Sequence, residues 1–329
     1  MAKTLVVSEH EAVELLGLGE CIEAMRGTLA AVPKGEVQSI QRTMIPHPNG
    51  NTLAGMASSI AGEGIAGTKV IIFAGPAAAK AGTSQGIVPI FSTQTGALIA
   101  IVDGHSITLT RTAATSAVGT DVMANPDANS LCLIGAGRQA RGHLEAMALV
   151  RKLKTVTVWD LYPEATAKFV ADMAPKFPGI AIRACDTAEE AARDADIICT
   201  VTPGKTEDPV LLGAWLKPGC HINAVGACSP QGRELDTAAM KKGRLFVDQM
   251  AAAKRDAGDF VIPFQKGELD EDHILGEIGE IINGQKPART SPEDITIFES
   301  VGIAAEDLAT AYLIYQKARA AGRGVEVEI

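Results

Sequence analysis

Two kinds of hydrophobic pattern divide the chain. In its first third, short apolar runs follow one another with no helix between them, at residues 37–45, 52–60, 68–73, 87–92 and 97–102. Turn-forming clusters separate them, such as Pro46-His47-Pro48-Asn49-Gly50, and Thr93-Gln94-Thr95-Gly96 closes a hairpin between the last two. A strand at 4–7 and two helices come first. One helix starts at Ser8, where Glu11 has capping-box spacing, and the other covers about 19–32. This order predicts an antiparallel sheet. A helix rich in small residues, about 107–123, then leads to a turn-rich segment at 125–129. From residue 130 the pattern changes to strict alternation, with apolar strands at 131–134, 156–159, 180–184, 197–201, 221–225 and 245–247 and helices between most of them. Six strands in that order predict a doubly wound parallel sheet, with ligands at the carboxyl ends of its strands. An amphipathic helix near 274–282, a strand at 295–298 and a long helix at about 303–321 close the chain. The last helix is expected to return to the first domain.

The strand at 131–134 runs into Gly135-Ala136-Gly137-Arg138-Gln139-Ala140, then a helical pattern, then a second strand that ends in Asp160. This is the strand, glycine turn, helix, strand, acid order of a dinucleotide-binding βαβ unit. Gly135 allows the tight turn and Gly137 a close backbone approach to a pyrophosphate. The new helix aims its free N–H groups at the phosphates, and Ala140 lets helix and strand pack closely. Asp160 suits the ribose hydroxyls of NAD and repels the 2′-phosphate of NADP. No Arg follows it, so NAD is the expected cofactor. The fold class is therefore α/β: a Rossmann-type sheet over 125–303, plus an N-terminal α+β domain over 1–124 completed by 304–329.

Composition narrows the picture. The 329 residues are 47% hydrophobic and 21% charged, enough for two large cores. A formal net charge of −9 argues against nucleic acid or an anionic membrane as partner. Six scattered cysteines show no ligand spacing and read as reduced thiols of a cytoplasmic protein; no metal is expected. No signal peptide or membrane span is expected, because the N-terminus lacks an apolar stretch and no apolar run approaches 18 residues.

Three cations stand in apolar or uncharged surroundings. Arg42 lies beside Met44 and Ile45, Lys69 opens Val70-Ile71-Ile72-Phe73, and Arg111 lies in a helix start otherwise made of small or uncharged residues. Buried cations need anions. Each either reaches solvent or pairs with an Asp or Glu, or the three together hold a substrate carboxylate, with Lys69 moving protons at a substrate nitrogen if burial and its cationic neighbours lower its pKa. Met56 and Cys228 are candidate pocket-lining residues. Cys228 has no histidine placed in sequence to activate it. His47, His105, His143 and His221 read as structural or surface residues, with His47 the best of them for substrate contact. The carboxyl ends of the fourth and fifth parallel strands place Thr200, Val201, Thr202, Val225 and Gly226 beside the nucleotide.

Six segments together resemble the ornithine cyclodeaminase/mu-crystallin family: Gly67-Thr68-Lys69, residues 109–115, residues 134–140, residues 222–227, Glu234-Leu235-Asp236 and residues 295–300. The resemblance implies NAD(P)-dependent chemistry on α-amino or α-imino acids, in a homodimer formed through the N-terminal domain. It puts Arg42 and Arg111 on the substrate carboxylate, Lys69 at the reacting carbon and nitrogen, and Thr115 and Ser300 at the cofactor. The family's ornithine cyclodeaminases carry an Asp where this chain has Cys228, and a thiol cannot anchor a distal ammonium. Hydride transfer at the α-carbon of an imino or amino acid is therefore the expected activity, as in ketimine and cyclic-imine reductases or the alanine dehydrogenase type. Ornithine or lysine cyclodeamination and a nucleotide-loaded binding protein are the alternatives.

Overall fold

The computed structural model describes residues 3–75 and 85–329. The chain forms two compact units, residues 1–112 with 303–329 and residues 113–302.

In the first unit β1 (Lys3–Val7) leads to α1 (Glu9–Leu15) and α2 (Leu18–Ala31). Ser8 and Glu11 form the expected capping box. The strands β2 (Val37–Ser39), β3 (Thr43–Pro46), β4 (Thr52–Ile60), β5 (Ile65–Phe73), β6 (Gly86–Ser92) and β7 (Leu98–Asp103) follow, then α3 (His105–Met123). With β16 (Val325–Glu328) they make an eight-stranded sheet in the order β16-β1-β7-β6-β5-β4-β2, with β3 also on β4. The expected run 37–45 is two strands on β4 rather than one, β2 against 58–60 and β3 against 52–55. The sheet is antiparallel except for β1, which lies parallel to β7. β4 alternates buried and less buried positions along its length, the mark of a strand with one covered face. The last helix, Ala304–Ala321, packs on that sheet and on α2.

The second unit contains β8 (Ser130–Ile134), α4 (Arg138–Val150), β9 (Thr155–Trp159), α5 (Pro163–Met173), β10 (Ala181–Ala184), α6 (Ala188–Ala192), β11 (Ile197–Thr200) and β12 (His221–Ala224). It continues with α7 (Thr237–Lys242), β13 (Gly243–Val247), α8 (Met250–Asp256), α9 (Gly258–Gln265), β14 (Ile274–Glu277), α10 (Ile278–Ile282) and β15 (Ile295–Glu299). The final helix, α11 (Ala304–Ala321), belongs to the first unit. The sheet is parallel throughout, in the order β10-β9-β8-β11-β12-β15-β13-β14. It has eight strands, not six. β15 inserts between β12 and β13, and β14 is the edge. The segment 274–282 is not one amphipathic helix. Its first four residues alternate in burial and pair with β13, and a capping box between Glu277 and Glu280 starts the helix only at Ile278.

The units divide inside α3, between Thr112 and Ala113, earlier than the turn at 125–129 suggests. The reason is packing. The second half of α3 belongs to the parallel sheet's layer: Ser116 bonds His143 of α4 at 2.9 Å, and Asn223 donates to Thr120 at 2.8 Å.

Candidate active site

The second unit builds its part around the turn after β8. Gly135 has φ +105°, a conformation that L side chains rarely adopt, and its N–H donates to Trp159 at 2.7 Å. A Cβ there would come within 3.0 Å of the Val201 carbonyl, so this turn touches the end of β11. Gly137 caps α4 without a side-chain hydrogen bond, and the Cβ it lacks would point into open space. The helix N–H groups therefore face an open approach, as an anion site requires. Ala140 is fully buried behind the turn.

Asp160 ends β9. One carboxylate oxygen accepts from Ala136 N at 2.8 Å and the other from Tyr162 N at 3.0 Å, which locks the acid against the glycine turn. The polar atoms around this end of the sheet fit a nucleotide: Thr115 Oγ1, Gln139 Oε1 and Ser300 Oγ are buried without a hydrogen-bond partner among the described residues. Arg138 is exposed on the first turn of α4, Thr200 is buried, and Val201, Thr202, Val225 and Gly226 are half-buried at the ends of β11 and β12. Cys228, just beyond, is the one exposed cysteine of six free thiols.

Glu234 holds two of these strand ends together. Its Oε1 accepts from Thr202 N at 2.7 Å and Thr202 Oγ1 at 2.6 Å, and its Oε2 accepts from Gly226 N at 2.7 Å. Asp259 in turn accepts from Glu234 N and Leu235 N, both at 2.7 Å. Glu299 and Asp248 are buried in the same unit. Burial, reinforced by Glu234, pushes Asp259 up to about 8. Burial, with the charges of Asp259, Glu234 and Asp248, raises Glu299 well above the usual carboxylate range. His143 and His221 are structural. Burial lowers them to about 4 and about 3, and each is hydrogen-bonded inside the core.

The first unit gathers the cations. Lys69 and Met56 are directly opposed across β4 and β5, on the buried face of the sheet. Lys69 Nζ donates to Thr108 Oγ1 of α3 and Asp307 Oδ1 of α11, both at 2.9 Å. Arg111 donates through Nε to the same Asp307 oxygen at 3.1 Å and through Nη1 to Glu306 Oε2 at 2.8 Å. Lys69 and Arg111 thus each meet an acid of the chain itself. Burial lowers the Lys69 pKa, and the positive charges of Arg111 and Arg42 add to the shift. Asp307 opposes it. Burial pushes Asp307 up, but Arg111 and Lys69 more than offset this and leave it below the usual range. Arg42, half-buried ahead of β3, is close enough to act on Lys69 through its charge. His47 is exposed and accepts from Asn49 N at 3.3 Å.

Sequence reading missed Thr108, Glu306, Asp307, Glu234 and Asp259 as members of these clusters. The pair Glu306-Asp307 carried a signal: two acids inside the otherwise apolar segment 301–308. Among the described residues, no group of three or more His, Cys, Asp or Glu is arranged to hold a metal ion. Nor is any helix there long and apolar enough to cross a membrane.

A parallel sheet with a dinucleotide turn in one unit, and a lysine and an arginine buried against acids in the other, define a class of α/β nucleotide-dependent proteins. The comparisons narrow it. The ornithine cyclodeaminase/mu-crystallin family matches residues 2–322. Mouse ketimine reductase mu-crystallin is 36% identical over 296 residues, 89% of this chain and 90% of that one. A Δ1-pyrroline-2-carboxylate reductase of Bacillus cereus is 35% identical over 329 residues, 98% and 99% of the two chains. The structure of the Thermococcus litoralis Δ1-pyrroline-2-carboxylate reductase, in complex with NADH and L-proline, matches with a TM-score of 0.92 at 34% identity. It covers 98% of this chain and 100% of that one. The chain belongs to the ornithine cyclodeaminase/mu-crystallin family.

Proposed function

We propose that the chain is a nicotinamide-dependent oxidoreductase of the C–N bond that reduces a carboxylate-bearing imino acid, with a cyclic α-imino acid as first candidate. The observation that carries this reading is the buried Lys69 ammonium, held by Thr108 and Asp307 beside Arg111. NADH, when bound, would supply the hydride for the imine α-carbon as the C=N π bond breaks. Lys69 Nζ gives the proton that completes the new N–H bond. Arg111 directs two of its nitrogens to Asp307 and Glu306. It meets the substrate carboxylate through its charge, with Arg42 completing the grip. Met56, opposite Lys69, limits the substrate's apolar side. Cys228 stands where the family's ornithine cyclodeaminases carry an Asp, and its thiol does not hold a second amino group. That favours imine reduction over cyclodeamination.

The nucleotide unit binds NAD in this reading, through Gly135, Ala136, Gly137, Arg138, Gln139, Ala140, Thr200, Val201, Thr202, Val225 and Gly226, with Thr115 and Ser300 as further contacts. Asp160 selects against the 2′-phosphate. Asp160→Ser should raise the KM for NADH and improve turnover with NADPH by about tenfold, read from the ratio of the two kcat/KM values. An unchanged ratio would remove Asp160 as the selector.

The protein is proposed to be a cytoplasmic homodimer. The location is supported by six cysteines that are all free. The dimer is supported by the outer face of the first unit's sheet, where Leu53, Ile87 and Phe91 are exposed together.

The deciding experiment follows NADH oxidation with Δ1-pyrroline-2-carboxylate, Δ1-piperideine-2-carboxylate and pyruvate plus ammonia, beside ammonia release from ornithine. Turnover on an imine supports the reading. Ammonia release from ornithine without net NADH production overturns it in favour of the lyase. Tight NADH binding with no turnover on any of them points to a binding protein.

A further inference from the structure

The acids that meet the cations of the first unit give those cations a setting that the proposed chemistry needs. We propose that Asp307 is the positioning residue of Lys69: it fixes the ammonium on the inner face of the sheet and keeps the proton on it until the substrate nitrogen takes it. The inference rests on Lys69 acting in catalysis as set out above.

The geometry is specific. Lys69 is 4% exposed and Asp307 fully buried, with Nζ and Oδ1 2.9 Å apart. The same oxygen takes Arg111 Nε, so one carboxylate orients both cations. The backbone is shaped for this contact. A Cβ on Gly67 would meet Leu308 Cδ1 at 2.7 Å and the Pro89 carbonyl at 2.5 Å. The missing side chain, two residues before Lys69 on β5, lets α11 settle on the strand and brings Asp307 to the lysine. A side chain at 67 would crowd the Pro89 carbonyl and the end of Leu308, the neighbour of Asp307.

Asp307 of α11 and the neutral Thr108 of α3 contact Nζ, Arg111 shares the Asp307 oxygen and holds Glu306 on its other side, and Arg42 acts on Nζ through its charge from the segment before β3. Behind Arg111 and Glu306, Cys21 of α2 is pushed up to about 12 by burial and stays a neutral thiol. Asp307, in direct contact with Nζ, favours the charged lysine. Burial, Arg111 and Arg42 all favour the neutral amine. Without Asp307 the lysine loses its proton at a lower pH.

The test compares pH profiles of kcat for imine reduction in wild type, Asp307→Asn, Asp307→Glu and Thr108→Val, with Lys69→Ala as reference. A lysine that must be protonated makes activity fall as pH rises through its pKa. In Asp307→Asn that falling limb should move to lower pH by about one unit or more. Asp307→Glu should bring it back part of the way. Thr108→Val removes an uncharged partner and should lower kcat with the limb nearly in place. NADH binding should be unchanged in all of them. A limb that stays put in a folded, NADH-binding Asp307→Asn overturns the proposal. So does a Glu variant no better than Asn. If Asp307→Asn does not fold, Asp307→Ser takes its place, and a limb that stays put in that variant overturns the proposal. Near wild-type turnover in Lys69→Ala would instead sink the underlying role of Lys69, whatever Asp307 does.

Discussion

Each unit buries a cluster of ionisable groups, and the two clusters solve the problem in opposite ways. In the first unit the charges are of both signs: Lys69 and Arg111 lie against Asp307 and Glu306. In the second, Glu234, Asp248, Asp259 and Glu299 are all acids. There the compensation comes from main-chain donors, with Asp248 accepting from Gln249 N and Gly302 N at 2.7 Å each, and from the raised pKa values of Asp259 and Glu299. The first cluster keeps its charges and pairs them. A carboxyl that only ties loops together is held by N–H groups or is left neutral. The first kind is costly to break because its partner is left charged in a dry place. The second mainly shapes the strand ends.

Three changes sharpen or break this contrast. Lys69→Ala should have the largest effect, a fall in kcat of roughly a hundredfold or more while NADH affinity persists, measured by steady-state kinetics and fluorescence titration. Glu234→Gln should come next. Its amide turns N–H groups toward Thr202 N or Gly226 N and leaves a buried donor unmet, which costs about 1–3 kcal/mol in urea unfolding and weakens NADH binding. A Glu234→Gln protein of unchanged stability and NADH affinity but lost turnover would break the contrast, because an acid of the second cluster would then be chemical.

The smallest effect is expected from Asp259→Asn, whose side chain copies the neutral acid and can still accept from Glu234 N and Leu235 N. The folded value of Asp259, about 8, lies above the ordinary 3.8. The native state therefore holds a proton that the unfolded chain has released. The stability it gives is full below about pH 4 and is lost as pH rises through 8. Thermal unfolding from pH 5 to 9 should show a shallower alkaline decline in the variant, and parallel curves would mean that Asp259 is charged in the fold.

What could be read from the sequence was local. The glycine turn, its helix and Asp160 lie within one βαβ stretch, and each follows from neighbours along the chain. The capping box at Ser8, the hairpin around 93–96 and the last long helix were legible for the same reason. The segment 274–282 misled, because four alternating residues next to a capped helical turn read as one amphipathic helix. The place of β15 between β12 and β13 is set by pairing with strands more than 40 residues earlier, which no pattern inside it records. The partners of the cations were least visible. Asp307 lies 238 residues after Lys69, and an acid in an apolar helix shows that something must meet it without showing what.

The make-up of the first unit has a consequence for synthesis. Its sheet comes from the start of the chain, but α11 and β16 come from the end. On the ribosome the sheet that carries Lys69 must wait while some two hundred residues of the other unit emerge. Until α11 arrives, the inner face of that sheet is uncovered and its lysine has no carboxylate from Asp307. A released chain truncated before residue 303 is therefore a target for chaperones and for aggregation, while its parallel sheet already has every strand it needs.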